Sequence, residues 1–299
     1  MFDKSNNNCF QTNIKNIAAE NGFYELNLKD VVLTMEPSLA RLESNTSGII
    51  KKLIQEKCIK ALDENKVLTL AFFLSIQFVR TKEHRERFSH LGKLFTQKLL
   101  KMGVSKESIE EDIIGTRVLP EDKLFGLRSI MSAKEFVPHF LNKAWLLYET
   151  SSKFPFYISD NPIVLHNDND YGPYGNIGLA VKGIEIYLPI SSKLCLGLVC
   201  PSIAEEFEKA HESIKSLDKL APGLVDKIIK DQGFSRSFCD GFEKGTPIRI
   251  HEENVIRINS LQVMYSTRFV YCETNSFGLV KKMISDDEKY REGIKPTIN

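Results

Sequence analysis

Residues 67–79 form the longest apolar run in the chain, and polar residues such as Gln77 are rare within it. The run is about thirteen residues long, whereas a helix needs roughly 20 to cross a bilayer. Apolarity on nearly all sides is typical of a helix at the centre of a packed layer. The pattern therefore predicts one long central helix over residues 65–102, with Asp63 as its N-terminal cap. Its predicted core residues are Phe72, Phe73 and Ile76. Pro37 marks the first turn of the predicted helix before this one.

The remaining elements predict an α+β fold, with an N-terminal helical layer packed against a small mixed β-sheet and further helices in the C-terminal half. Residues 30–152 are mainly helical by pattern, and residues 153–290 mix strands with helices. No linker rich in proline, glycine or serine separates these sub-regions, so we expect a single compact unit over residues 1–299. Further predicted helices are 36–58, one that starts at Ser105, 121–148 with Trp145, 203–220, 223–231, 253–266 and 277–285; predicted strands are 154–160, 184–189, 193–200 and 269–272.

Composition excludes some classes of function but does not identify one. The chain has 299 residues, and its 40 basic and 39 acidic side chains give a net charge of +1. This balance gives no nucleic-acid signature and no reason to expect an anionic membrane as partner. Its 6 cysteines include no C-x-x-C pair, so neither a metal knuckle nor a disulfide framework is expected. The N-terminus is polar and lacks a signal-peptide pattern, so we expect a cytoplasmic protein.

The tetrad Ser159-Asp160-Asn161-Pro162 follows a predicted strand directly. Carboxylates at the end of a strand are frequent catalytic groups, and Asn161 is a candidate ligand-binding residue beside Asp160. The alternative is an Asx-turn, in which the two side chains hydrogen-bond to the backbone and proline fixes the next turn. Taken alone, the tetrad favours the turn.

Gln77, Arg80 and His84 share one face of the predicted long helix, at i, i+3 and i+7. A guanidinium at this position needs an anion, either a protein carboxylate such as Glu43 or Asp160, or a phosphate or carboxylate ligand. We predict that Asp160 faces the Gln77–Arg80 stripe. The structural alternative is favoured over the ligand site.

Asn259 interrupts the apolar face of another predicted helix, where an amide is more often hydrogen-bonded in the core than used as a ligand. Nucleotide-binding glycine loops, zinc-protease motifs and nucleophile elbows do not occur in the sequence. Asp160 followed by a strand with Glu185 resembles the acidic pair of metal-dependent nucleases. Tyr187 stands where those enzymes carry a lysine.

Several short motifs, taken together, resemble one family across nearly the whole chain. They are Lys15-Asn-Ile, Gly22-Phe-Tyr, Met35 to Glu43 (MEPSLARLE), Phe78-Val-Arg80-Thr, Trp145, Tyr157 to Ile163 (YISDNPI), Leu188-Pro-Ile-Ser and Asn259. This set is similar to the bacterial DUF4238 proteins, a family named as a domain of unknown function. Family members typically begin with a His-x-Val-Pro-x-x-Tyr-Leu segment, and this chain is expected to start after it.

The resemblance implies that Glu43, Arg80, Asp160 and Asn259 match recurring family motifs, and it implies no reaction. Three functions remain open. In the first, Glu43, Arg80 and Asp160 form a catalytic site in a cleft between the helical half and the α/β half. With Mg²⁺ as cofactor, this site hydrolyses a phosphodiester. In the second, Gln77, Arg80, Asn161 and Asn259 bind an anionic ligand without turnover. In the third, the Glu43–Arg80–Asp160 cluster is an internal ion-pair network, and the protein acts through partner contacts.

Overall fold

The fold of the chain is taken from a computed structural model that describes residues 1–13, 24–28, 31–105, 121–151, 153–172, 175–221 and 232–294. The helices are α1 (Glu36–Glu56), α2 (Glu64–Val79), α3 (Lys82–Lys101), α4 (Glu121–Ser132), α5 (Val137–Leu141), α6 (Pro201–Leu220), α7 (Gln232–Lys244), α8 (Glu252–Tyr265) and α9 (Gly278–Asp286). Short 3-10 turns cover Ile59–Ala61, Ala133–Phe136 and Glu288–Arg291. The helix predicted over 223–231 and most of the one predicted from Ser105 lie outside the described residues.

The strands form a five-stranded, a four-stranded and a two-stranded sheet. The strands are β1 (Phe2–Asp3), β2 (Asn8–Cys9), β3 (Glu25–Leu28), β4 (Val31–Thr34), β5 (Ala144–Glu149), β6 (Ile158–Ser159), β7 (Val164–His166), β8 (Glu185–Pro189), β9 (Leu194–Val199), β10 (Ile248–Arg249) and β11 (Phe269–Tyr271). The largest sheet has the order β10-β5-β9-β8-β7, in which only the β10–β5 pair is parallel. Helices beside mixed and antiparallel sheets confirm the α+β class.

Both faces of the five-stranded sheet are covered by helices. Leu196 and Leu198 of β9 pack into a core with Leu70 and Leu74 of α2. The alternate residues of the same strands, including Val199 and Tyr187, pack on the other side against α7 and α8. Side chains of a strand alternate between its two faces, so this central strand is apolar throughout. The sheet therefore separates the N-terminal helices from the C-terminal ones.

Local capping signals explain where the N-terminal helices begin. The Thr34 hydroxyl accepts a hydrogen bond from the Glu36 amide at 3.2 Å, and Pro37 occupies the first turn of α1. The Asp63 carboxylate accepts from the Lys66 amide at 2.9 Å and caps α2, as its position before the apolar run predicted.

The prediction of one continuous helix over residues 65–102 is wrong. Helix α2 ends at Val79, and Thr81 caps a new helix by accepting a hydrogen bond from the His84 amide at 3.2 Å. When a threonine side chain caps a new helix, the preceding helix cannot continue through that threonine. The helix therefore ends here, although the sequence pattern continues. Gln77, Arg80 and His84 therefore do not share a continuous helical face.

The predicted core residues of this helix differ in burial. Ile76 is 5% exposed, and Phe73 is half-buried. Phe72 is 38% exposed, so the prediction for Phe72 is also wrong.

Trp145 lies on β5 and not in a helix, which corrects the C-terminal end of the predicted 121–148 helix. Its indole nitrogen donates to the Phe140 carbonyl at 3.0 Å, across the turn between α5 and the strand. Pairing with β9 over six residues fixes this segment as strand, and that contact is remote in sequence. The short strands β1 to β4 and helix α7 were also not predicted.

The described helices include none that is both long and apolar enough to span a bilayer. All six cysteines lie in the described part of the chain and are free thiols, as expected.

Candidate functional site

A polar cluster lies at the edge of the five-stranded sheet, where β7 ends and β8 begins. His166 is directly opposite Glu185 in the antiparallel register, so both side chains belong to one face of the sheet. Asp168 follows two residues later, and its Oδ1 lies 2.7 Å from His166 Nε2. The three ligand atoms of His166, Asp168 and Glu185 all lie within 4.8 Å of one another.

Arg257 of α8 extends over this cluster. Its Nη1 lies 3.5 Å from Asp168 Oδ2, and its Nη2 lies 3.9 Å from Glu185 Oε2. Burial lowers the pKa of Arg257, but the neighbouring Tyr187, Glu185 and Asp168 raise it more, so the net pKa is above its ordinary value. Its Nε is buried and has no acceptor among the described residues. The guanidinium is thus only partly satisfied by protein groups.

Two tyrosines form the inner wall of the site. Tyr187 donates to Glu185 Oε2 at 2.5 Å and accepts from Arg257 Nη2 at 3.3 Å. The Tyr148 ring packs beside it with centroids 6.0 Å apart, directly over Gly197. A Cβ at Gly197 would lie 2.2 Å from a Tyr148 ring carbon, so only glycine leaves room for the ring there. Burial raises the pKa of both tyrosines far above the ordinary value, and both hydroxyls stay protonated.

A pocket of about 180 Å³ adjoins the cluster and shares Glu185 and Arg257 with it. Tyr187 is a further polar residue of its lining. The Phe207 and Phe238 rings, with centroids 3.9 Å apart, belong to its apolar lining. The pocket therefore joins a charged group to an aromatic wall, which is the usual composition of a small-molecule site.

The donor set of the cluster suits a divalent cation. Imidazole nitrogen and carboxylate oxygen together bind Mn²⁺, Fe²⁺ or Zn²⁺, whereas Mg²⁺ prefers oxygen alone. The Asp168 side chain is 76% exposed and the Glu185 side chain 13% exposed, so the cluster opens to solvent on one side. Two carboxylates beside one guanidinium leave one net negative charge when His166 is neutral, which attracts a cation.

The structure brings together two of the three residues predicted as catalytic. Arg80 Nη1 lies 2.5 Å from Glu43 Oε1, in an ion pair between α1 and the end of α2. The Glu43 side chain is 48% exposed, and the Arg80 side chain is 23% exposed. Gln77 is half-buried one turn earlier on α2.

Asp160 makes its hydrogen bonds elsewhere. Its carboxylate accepts from the Thr267 amide and hydroxyl, both at 2.9 Å, from the Arg268 amide at 2.7 Å, and from the Phe269 amide at 2.8 Å. Among the described residues, these four are its hydrogen bonds, and they hold the turn between α8 and β11. The predicted orientation of Asp160 towards the Gln77–Arg80 stripe therefore has no hydrogen bond to support it.

Asn161 and Asn259 also bind backbone. The Asn161 amide donates to the Tyr265 carbonyl at 3.2 Å. Asn259 is 5% exposed; it accepts from the Tyr157 amide at 2.8 Å and donates to the Pro155 carbonyl at 2.9 Å. These two side chains tie α8 to the segment that precedes β7.

Sequence patterns did not identify His166, Asp168 or Arg257 as site residues. Glu185 was noted, but as a partner of Asp160. The pair His166-x-Asp168 at the end of a strand was one available signal, because residues two apart lie on the same face. An arginine within the apolar Val255–Ile258 stretch was another.

A comparison with family models decides the family. The model described as "Protein of unknown function (DUF4238)" matches residues 1–276. The chain belongs to the DUF4238 family. This confirms the resemblance drawn from the short motifs, and the DUF4238 match includes every residue of the cluster. No curated protein and no solved structure matches the chain.

Proposed function

We propose that this DUF4238 protein binds a divalent metal ion through His166, Asp168 and Glu185 and hydrolyses a phosphate ester beside it. The observation that carries the proposal is the convergence of three ligand atoms within 4.8 Å of one another, next to a guanidinium. Mn²⁺ fits this donor set best, and Mg²⁺ is the second candidate.

The charges of the cluster support an anionic substrate. The bound cation changes the net charge of the cluster from negative to positive, which favours a phosphate group at the same place. Arg257, whose side chain is 37% exposed, then donates to the phosphate oxygens. Glu185 is held for metal binding by the Tyr187 hydroxyl, which donates to the same carboxylate.

The proposed reaction needs only water as co-reactant. A metal ion held by His166, Asp168 and Glu185 would supply a Lewis acid for the phosphoryl group and would make water a stronger nucleophile. The water oxygen forms a bond to phosphorus, the bond from phosphorus to the ester oxygen breaks, and the leaving oxygen takes up a proton. Arg257 neutralises charge on the phosphoryl oxygens during this step.

For the residues singled out from the sequence, we propose structural roles. The Glu43–Arg80 ion pair joins α1 to α2. Asp160, Asn161 and Asn259 satisfy backbone groups around α8. This assignment keeps a structural role for the Glu43–Arg80 pair, as in the third function considered above, but Asp160 bonds to the backbone of residues 267–269 and not to that pair. The proposed metal chemistry then lies on the opposite face of the five-stranded sheet.

The test is hydrolysis of bis(p-nitrophenyl) phosphate with and without Mn²⁺. We expect metal-dependent release of nitrophenol, reduced at least about a hundredfold by Glu185→Gln. Glu43→Gln is the matched control, because it makes the same change in the Glu43–Arg80 ion pair, and it should keep the wild-type rate. Full activity in Glu185→Gln together with loss in Glu43→Gln would place the chemistry at Glu43 and Arg80 instead.

Anion binding without turnover is the second candidate function, favoured by the partly exposed Arg257 guanidinium, whose Nε has no hydrogen-bond acceptor within the described part of the chain. In that case inorganic phosphate binds without added metal, binding is lost in Arg257→Gln, and no nitrophenol is released at any metal concentration.

A further inference from the structure

We infer that the site takes a phosphate ester whose ester group is a single aromatic ring, with the ring held in the pocket behind Arg257. This inference rests on the proposed function and adds the class of substrate. It follows from the position of the pocket, because Glu185 of the cluster and Arg257, which extends over the cluster, also line the pocket.

The size of the pocket fits one ring. Its volume is about 180 Å³, and a dry apolar cavity of about 150 Å³ accommodates benzene. A single six-membered ring therefore fills the pocket, whereas a larger ester group must extend outward past the cluster.

The walls of the pocket favour a ring over a flexible chain. Phe207 and Phe238 contribute aromatic surface to its lining, and Ile258 of α8 contributes aliphatic surface. Aromatic pairs gain from offset and edge-to-face contacts in addition to the area that they bury. A rigid ring also loses less conformational entropy on binding than an alkyl chain of similar area.

The arrangement of the polar groups fixes the direction of the ligand. Glu185 and Arg257 contact both the pocket and the cluster, whereas His166 and Asp168 belong to the cluster and do not line the pocket. An anionic group held by Arg257 is thus placed between the ring pocket and the proposed metal. The neutral Tyr187 hydroxyl, 3.3 Å from Arg257 Nη2, adds no negative charge to repel it.

The experiment is calorimetric titration of the full chain, loaded with Mn²⁺, with phenylphosphonate and methylphosphonate. Both probes carry a carbon–phosphorus bond, so neither is consumed by hydrolysis. We expect phenylphosphonate to bind roughly tenfold more tightly, because burial of one ring contributes about that factor. Phe207→Ala should remove most of this preference. Phe207 is 40% exposed, so the fold should tolerate the change.

Phe72→Ala is the matched control, because Phe72 is similarly exposed at 38% but lies on α2, outside the pocket. It should keep the tenfold preference. Ile203→Trp, which narrows the pocket from α6, should abolish the preference.

Equal affinity of the wild-type protein for the two phosphonates would overturn the inference. If both still require Mn²⁺ for binding, the proposed function stands and only the aromatic substrate class is wrong. If the protein binds neither Mn²⁺ nor either phosphonate, the proposed function fails as well. A phenyl preference that persists in Phe207→Ala and Ile203→Trp also overturns the assignment of the ring to this pocket.

Discussion

Asp160 and Glu185 are both carboxylates at the end of a short strand, yet their surroundings differ. The two oxygens of Asp160 accept four hydrogen bonds, three of them from consecutive backbone amides at residues 267–269. Glu185 lies beside a second carboxylate, Asp168, and its partners are the side chains of Tyr187 and Arg257.

Under the function proposed above, the difference separates a carboxylate that stabilises the fold from one that binds a metal ion. Backbone amides that converge on one carboxylate stabilise the fold and leave that carboxylate little capacity for a ligand. Two carboxylates held together beside a partly satisfied arginine stabilise the fold poorly, and such an arrangement is typical of sites kept for binding. The position of a carboxylate along the sequence did not reveal which kind it was.

The largest expected effect tests the structural side of this comparison. Asp160→Asn replaces a carboxylate oxygen by an amide group that faces backbone donors, and we expect a loss of about 3 kcal/mol in the free energy of unfolding. Urea denaturation measures it. Asp168→Asn makes the same change on an exposed side chain and should alter stability by less than about 0.5 kcal/mol. Equal losses in the two variants would remove the distinction between the regions.

A second prediction compares two asparagines of α8. Asn259→Leu leaves the buried Tyr157 amide and Pro155 carbonyl without partners, so we expect a loss of about 2 kcal/mol in stability. Asn254 lines the pocket, and Asn254→Leu should cost less than about 0.5 kcal/mol. Denaturant midpoints of both variants check this. If Asn259→Leu is as stable as the wild type, Asn259 is not the structural amide described above.

The smallest effect concerns acid stability near the Asp160 turn. Arg268 donates to Asp3 and lowers the pKa of this carboxyl from 3.8 to about 2. Stability from the pair is complete above pH 3.8, because the carboxyl is then ionised in both states, and it is lost as the pH falls towards 2. The urea midpoint of the wild type should therefore fall more steeply between pH 4 and pH 2 than that of Asp3→Asn. Parallel slopes would show that the pair does not contribute.

Local signals in the sequence predicted the elements whose ends are set by neighbouring residues. Asp63 and Pro37 marked the starts of α2 and α1, and the apolar runs marked β8 and β9. Thr81 was not recognised as a cap because the apolar and charged halves of the pattern join without a glycine or proline. Trp145 was assigned to a helix because its strand is defined by pairing with β9, about fifty residues away.

The candidate site was less accessible to sequence reasoning. Glu185 was noticed, but its partner His166 is set by the register of β7 on β8, and no local pattern fixes that register. Arg257 reaches the cluster only because α8 packs on the same face of the sheet. By contrast, Arg80 was correctly expected to need an anion, and Glu43 was one of the two carboxylates named for it.

The most direct test of the account is a titration of the protein with Mn²⁺, followed by the electron paramagnetic resonance signal of the free ion. We expect one bound Mn²⁺ per chain in the wild type and in Glu43→Gln. Binding should be lost in the double variant His166→Ala with Glu185→Gln, whose fold is checked by its urea midpoint. A wild-type chain that binds no Mn²⁺, or a folded double variant that binds it as well as the wild type, would contradict the metal site.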